Sequence, residues 1–212
     1  MIRYAQLERH ALADTMLAVG PDAPTLCGTW RVRNLAAHLV IRETRPDLAA
    51  GMFIPKLRDR LEKAQAEMAA GDFENLVERL LFGPPRWGVM GIPAVDSLAN
   101  LLEFYVHHED VLRAAPEWTP RELEPRKAEE IWNGLGRMAG VLYRKSPVGV
   151  ILVADGVGRH VAKRPDEGGS AVVRGSVAEV VLYSYGRRDV ATVKLSGPDS
   201  AISALTNATL SL

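Results

Sequence analysis

The chain has 212 residues, 47% of them hydrophobic and 25% charged, enough apolar material for one domain or two small ones. Its formal net charge is zero, so no global basic field argues for nucleic acid or an anionic membrane surface. One cysteine, Cys27, leaves no internal disulfide framework and suits a reducing, cytoplasmic setting.

The N-terminal stretch carries charges through its apolar positions and lacks the apolar core of a signal peptide. No apolar run approaches the ~18 residues of a membrane span. Tyr4, Leu7, Ala11, Leu12, Thr15 and Met16 recur at helical spacing and predict a first helix over 3–19, ended by Gly20-Pro21. Residues 20–30 hold two prolines and two glycines and predict an ordered loop carrying Cys27, where a lone cysteine is usually structural. A second helix is expected over 32–45, stopped by Pro46. His38 lies between Leu35 and Ile41 on its wheel, with Arg42 and Arg45 along the same side. On its own, such a histidine reads more readily as a hydrogen-bonded core residue than as a ligand.

Pro55 opens a third helix to Ala70, rich in Lys, Glu, Gln and Ala, and Asp72 caps a short helix through Phe82. The Gly- and Pro-rich stretch 83–93 is irregular and long enough for a lid or a crossover. A helix over 94–115 and another over 125–144 follow, the latter with Ile131, Leu135, Met138, Ala139 and Leu142 on one face.

The helix over 94–115 carries the chemistry. At ~100° per residue, Asp96, Asn100, Glu103, His107 and Asp110 fall in one narrow sector of a largely apolar cylinder. A solvated face would be a broad polar arc. Buried, these groups need partners, and a metal ion is one such partner. Glu103 and His107 are four residues apart and project together. The same spacing is common in ordinary pairs, so a third ligand elsewhere is needed to single it out.

After Ser146-Pro147 the period changes. Strands are expected over 148–153, 159–163, 171–173 and 190–195, with Asp155-Gly156 as a hairpin turn and helices over 177–185 and from Asp199. This pattern predicts an α+β protein of two domains, a helical one over 1–145 and a small α+β one over 146–212.

Two stretches, Trp30-Arg-Val-Arg-Asn-Leu-Ala-Ala-His38-Leu and Asn100-Leu-Leu-Glu103-Phe-Tyr-Val-His107-His-Glu-Asp110, resemble the DinB-like bundle of the mycothiol-dependent maleylpyruvate isomerase family. Gly20-Pro-Asp-Ala-Pro-Thr-Leu-Cys27, His38-Leu-Val-Ile-Arg-Glu-Thr-Arg-Pro46 and Val106-His-His-Glu-Asp-Val111 resemble more closely a metal-binding branch of it. Val173 to Gly197 is similar to the sterol-carrier-like domain that follows the bundle there.

The resemblance implies a four-helix bundle with up-down-down-up connectivity. It implies a divalent metal, most typically zinc, held by His38, Glu103 and His107, an open set that leaves room for water or substrate. By its spacing, three residues after His107, Asp110 is a candidate to accept a hydrogen bond from that ring and fix its tautomer, the alternative being an ordinary helix-end charge. His108 points away from Glu103 on the wheel. Mycothiol would supply a thiolate that adds to the double bond of a small electrophile such as maleylpyruvate, and rotation and elimination would complete an isomerisation. Arg42 and Arg45 are candidates to hold the carboxylates of bound molecules, and Arg187 the candidate for an arginine facing the active site from the second domain. The alternatives are solvated helix residues for the first two and a helix cap for Arg187. The partners expected are thus a small thiol and a small electrophile, with no nucleic acid and no membrane, in a monomer or homodimer. The competing reading is a non-catalytic metal-binding or ligand-binding protein.

Overall fold

The computed structural model describes residues 4–49, 51, 54–83, 93–165 and 168–209, with side chains in the first part of the helix at 93 described from Asn100 onward. Two compact units divide the chain, residues 1–119 and 120–212.

The first unit is helical: α1 Tyr4–Val19, α2 Val32–Thr44, a short α3 Pro46–Ala49, α4 Arg58–Ala69 after a 3₁₀ turn, α5 Phe73–Phe82 and α6 Pro93–Leu112. α1 packs on α6 and α5, and α2 packs on α4 and α5. Leu12, Met16, Leu35, Leu39, Val77, Leu80 and Phe104 belong to one core drawn from α1, α2, α5 and α6. Asp72 caps α5 as its position predicts, accepting from the Asn75 amide at 2.7 Å.

The first helix turns differently from its apolar pattern. Leu7 is 56% exposed, while Glu8 and Arg9 are buried. Burying these charges is tolerable because each has a partner inside. Arg9 makes a two-pronged pair with Glu43 at 2.7 and 2.9 Å and lies over the Phe104 ring. Glu8 accepts from His108 at 2.7 Å.

The second unit contains α7 Pro125–Leu142, β1 Gly149–Ala154, β2 Gly158–Lys163, β3 Ser170–Gly175, α8 Val177–Ser184, β4 Lys194–Ser196 and α9 Asp199–Asn207. The sheet order is β2-β1-β3-β4. β1 pairs antiparallel with β2 and parallel with β3, and β3 pairs antiparallel with β4. Gly156 turns the β1–β2 hairpin at φ 73°, a conformation that needs glycine. Glu124 and Ser176 cap α7 and α8. α7 packs on β2 and α8, so the last long helix groups with the sheet, where the pattern along the chain places the seam near residue 145. The reason is local: α7 buries Ile131, Trp132, Leu135, Ala139 and Leu142, and Trp132 stacks on His160 of β2 at 4.5 Å.

The architecture is α+β, as the change of period predicts. The strand expected over 190–195 is shorter and later, Lys194–Ser196. The lid or crossover expected over 83–93 falls almost wholly in 84–92, outside the described residues. No described helix is long and apolar enough to cross a membrane.

Candidate metal centre

Two helices of the first unit bring the candidate ligands together. On α2, His38 and Arg42 are one turn apart; on α6, Glu103 and His107 are one turn apart, with Asp110 three residues further. The α2 backbone starts after Arg31, whose amide donates to Asn34 Oδ1 at 3.0 Å. Leu35, Leu39 and Ile41 bury the rest of α2 and so set the direction of His38.

The imidazoles of His38 and His107 meet over one carboxylate oxygen. His38 Nε2 lies 3.6 Å and His107 Nε2 3.3 Å from Glu103 Oε1. The rings are edge-on, with centroids 5.4 Å apart. One ligand atom from each residue lies within 4.8 Å of the others. Donor atoms about 2.0–2.1 Å from a tetrahedral zinc ion stand roughly 3.3 Å from one another. The two separations to Glu103 are near that edge length, so the donor set fits a cation of this kind with small adjustment.

Each histidine is held from behind, as metal-binding imidazoles usually are. Asp110 Oδ2 lies 2.8 Å from His107 Nδ1, which fixes the ring proton there and turns Nε2 toward Glu103. Gln65, from α4, reaches His38 Nδ1 at 3.1 Å. A cation on His38 Nε2 would require the Gln65 amide to present its oxygen, so that Nδ1–H donates to it. Trp30 packs on the other side of His38, ring centroids 5.2 Å apart.

The electrostatics follow from burial and these partners. Desolvation holds the His38 imidazole below its ordinary value, with the Glu103 bond opposing, so it offers a neutral nitrogen. Burial also works against ionisation of Glu103. The bonds from His107 and His38 and the Arg42 charge outweigh it, and the carboxyl stays well below the usual range. For His107 burial again opposes charge, but Asp110, Cys27 and Glu103 prevail and hold the ring well above its ordinary value.

The arginines separate. Arg42 Nε lies 3.3 Å from Glu103 Oε1, and its Nη1 donates to Asn100 Oδ1 at 2.5 Å. Asn100 in turn donates to Glu43 at 3.0 Å, so a polar chain runs from Glu103 through Arg42, Asn100 and Glu43 to Arg9. Arg45 is not brought to this cluster; it pairs with Asp47 at 2.8 Å on the surface. Arg187 is in the second unit, donating to the Tyr185 carbonyl just past the end of α8. His108 points the other way, between Glu8 and Thr15 Oγ1, the latter at 2.8 Å.

Cys27 and Gln65 are the neighbours that sequence spacing leaves unassigned. Cys27 Sγ donates to Asp110 Oδ2 at 3.0 Å and lies 3.8 Å from His107 Nδ1. Gln65 sits in a helix whose composition reads as exposed, and no motif marks it.

The fold of the chain is similar to that of proteins of known structure. Two solved structures match along most of their length: the mycothiol-dependent maleylpyruvate isomerase and a histidine-to-alanine mutant of it. Each is 16% identical, with a TM-score of 0.55, over 91% of this chain and 90% of that chain. At that identity the likeness is one of fold alone. No family model and no curated protein matches the sequence.

Proposed function

We propose that this chain is a divalent-metal protein that uses a small thiol, mycothiol, as cosubstrate to isomerise, or to transfer sulfur to, a small electrophile. The observation that carries the reading is the convergence of His38 Nε2 and His107 Nε2 on Glu103 Oε1, on a fold whose solved neighbours are mycothiol-dependent. His38, Glu103 and His107 would hold the cation, and two nitrogens with one carboxylate oxygen suit zinc. A cation bound there supplies one thing, a lowered thiol pKa that keeps the cosubstrate as thiolate at neutral pH.

The protein's own groups do the rest. Asp110 keeps the His107 proton on Nδ1. Gln65 fixes the His38 ring. Arg42 keeps Glu103 ionised and, being anchored by Asn100, places a guanidinium beside the site for an anionic group of a bound molecule. The site's ligand side chains are 12–23% exposed, so small molecules have an approach. Arg187 as a substrate contact rests on the resemblance alone.

A second reading, metal or ligand binding without catalysis, draws on Arg42. Glu103 Oε1 already has two imidazoles and a guanidinium within 3.6 Å, so the carboxylate is balanced as it stands.

Metal content of protein purified without added metal, in wild type and Glu103→Ala, tests the site. Near-stoichiometric zinc in wild type and its loss in the variant are expected. Addition of mycothiol to cobalt-substituted protein should then shift the visible spectrum. No metal in wild type after reconstitution would overturn the ligand assignment; metal with no thiol response would favour the second reading.

A further inference from the structure

We propose that Cys27, His107 and Asp110 form a second, thiophilic cation site that competes with the first for the His107 imidazole. The proposal goes beyond the thiol chemistry above and does not depend on it. Cys27 Sγ, His107 Nδ1 and Asp110 Oδ2 make a three-donor group of their own, with separations of 3.8, 3.0 and 2.8 Å. Around a tetrahedral zinc-sized ion, a sulfur–nitrogen edge is about 3.6 Å and a nitrogen–oxygen edge about 3.3 Å. The sulfur and nitrogen are already so spaced, and the Asp110 oxygen needs to retreat by roughly half an ångström to match.

The group is built in advance. Leu26 N–H donates to the Asp110 carbonyl at 3.0 Å, which ties the cysteine loop to α6. Thr25 Oγ1 donates to the Trp30 carbonyl at 2.8 Å and accepts from Cys27 N–H at 3.2 Å. Gly28, at φ 64°, makes the tight turn that follows. Cys27 is half-buried, so the thiol side of the group is approachable, whereas Asp110 is fully buried.

One imidazole serves both sites through opposite nitrogens. With a cation on Nε2, the ring proton stays on Nδ1 and faces Asp110. With a cation on Nδ1, the ring proton sits on Nε2 and faces Glu103, and the first set loses a ligand. Binding at Cys27 and His107 Nδ1 sends the thiol proton and the Nδ1 proton to solvent and forms one metal–sulfur and one metal–nitrogen bond, with no redox change. A thiolate selects soft ions over hard ones, so cadmium or zinc fits and magnesium or calcium does not.

The test is a cadmium titration of the full chain, with no added thiol, followed by thiolate-to-metal charge-transfer absorption in the ultraviolet. Wild type and His38→Ala should both develop the band and saturate at one cadmium per chain, and Cys27→Ser and Cys27→Ala should not. Zinc-loaded wild type should release its zinc as the band grows. Circular dichroism of each variant keeps a folding defect apart from a lost ligand. Absence of the band in folded wild type would overturn the site, and loss of the band in folded His38→Ala would place Cys27 in the first set instead. Retention of zinc while the band grows would overturn the competition. Zinc binding that is lost in Glu103→Ala concerns only the first site, so the two assignments fail separately.

Discussion

Asp110 Oδ2 stands 2.8 Å from His107 Nδ1, and Asp110 itself is fully buried. A buried carboxylate in that place acts on the ring's far nitrogen, because it decides which nitrogen carries the proton. Replacing Asp110 by Asn keeps the shape and removes the charge. Zinc affinity should fall about 10- to 100-fold in Asp110→Asn, measured by competition with a chromophoric chelator, while helix content stays unchanged.

Gln65 should behave in the same way for His38, with a distinctive pattern. Gln65→Leu removes the hydrogen bond at Nδ1 and should weaken zinc binding by roughly tenfold. Gln65→Glu presents only acceptors to Nδ1–H and should restore the affinity or raise it. Equal losses in the two variants would show that Gln65 serves packing alone.

Metal affinity should rise with pH through the neutral range. Without metal, His107 is held well above its ordinary value, so it carries a proton on Nε2 that a cation must displace. His38 is held below its ordinary value and contributes little near neutrality. Below the His107 value, zinc affinity should therefore increase by about tenfold per pH unit, with about one proton released per zinc. Calorimetry in buffers of different ionisation enthalpy measures that proton directly.

The Arg9–Glu43 pair is a stability element rather than a ligand. Their side chains are 5% and 1% exposed, and Asn100 donates to the same carboxylate. Glu43→Ala leaves a guanidinium buried without its carboxylate and should cost about 3–5 kcal/mol of folding stability, read from denaturant unfolding. Because Asn100 also holds Arg42, the variant should loosen Arg42 and weaken zinc binding further than a distant core mutation of equal cost.

The order of helices and strands was largely legible along the chain, since each element's apolar period is a local property. The misreadings have local causes too. Leu7 fits an apolar stripe on α1, yet Glu8 and Arg9 take the inward phase because His108 and Glu43 wait for them across the core. The grouping of α7 with the sheet draws on the stack of Trp132 on His160, a contact between residues 28 apart that spacing along the chain does not show.

The sequence by itself determined that Glu103, His107 and Asp110 share one helix face, because 3.6 residues per turn put positions four and three apart side by side. It determined that His38 and Arg42 do likewise. Only the tertiary structure decided that these two faces meet, that Gln65 stands behind His38 across 27 residues, and that Cys27 touches Asp110 across 83. The same packing separated Arg42, beside Glu103, from Arg45, which is left on the surface with Asp47. Helical spacing acts over one or two turns, whereas contacts between elements depend on how several apolar faces are buried at once, and no short pattern in the chain records that outcome.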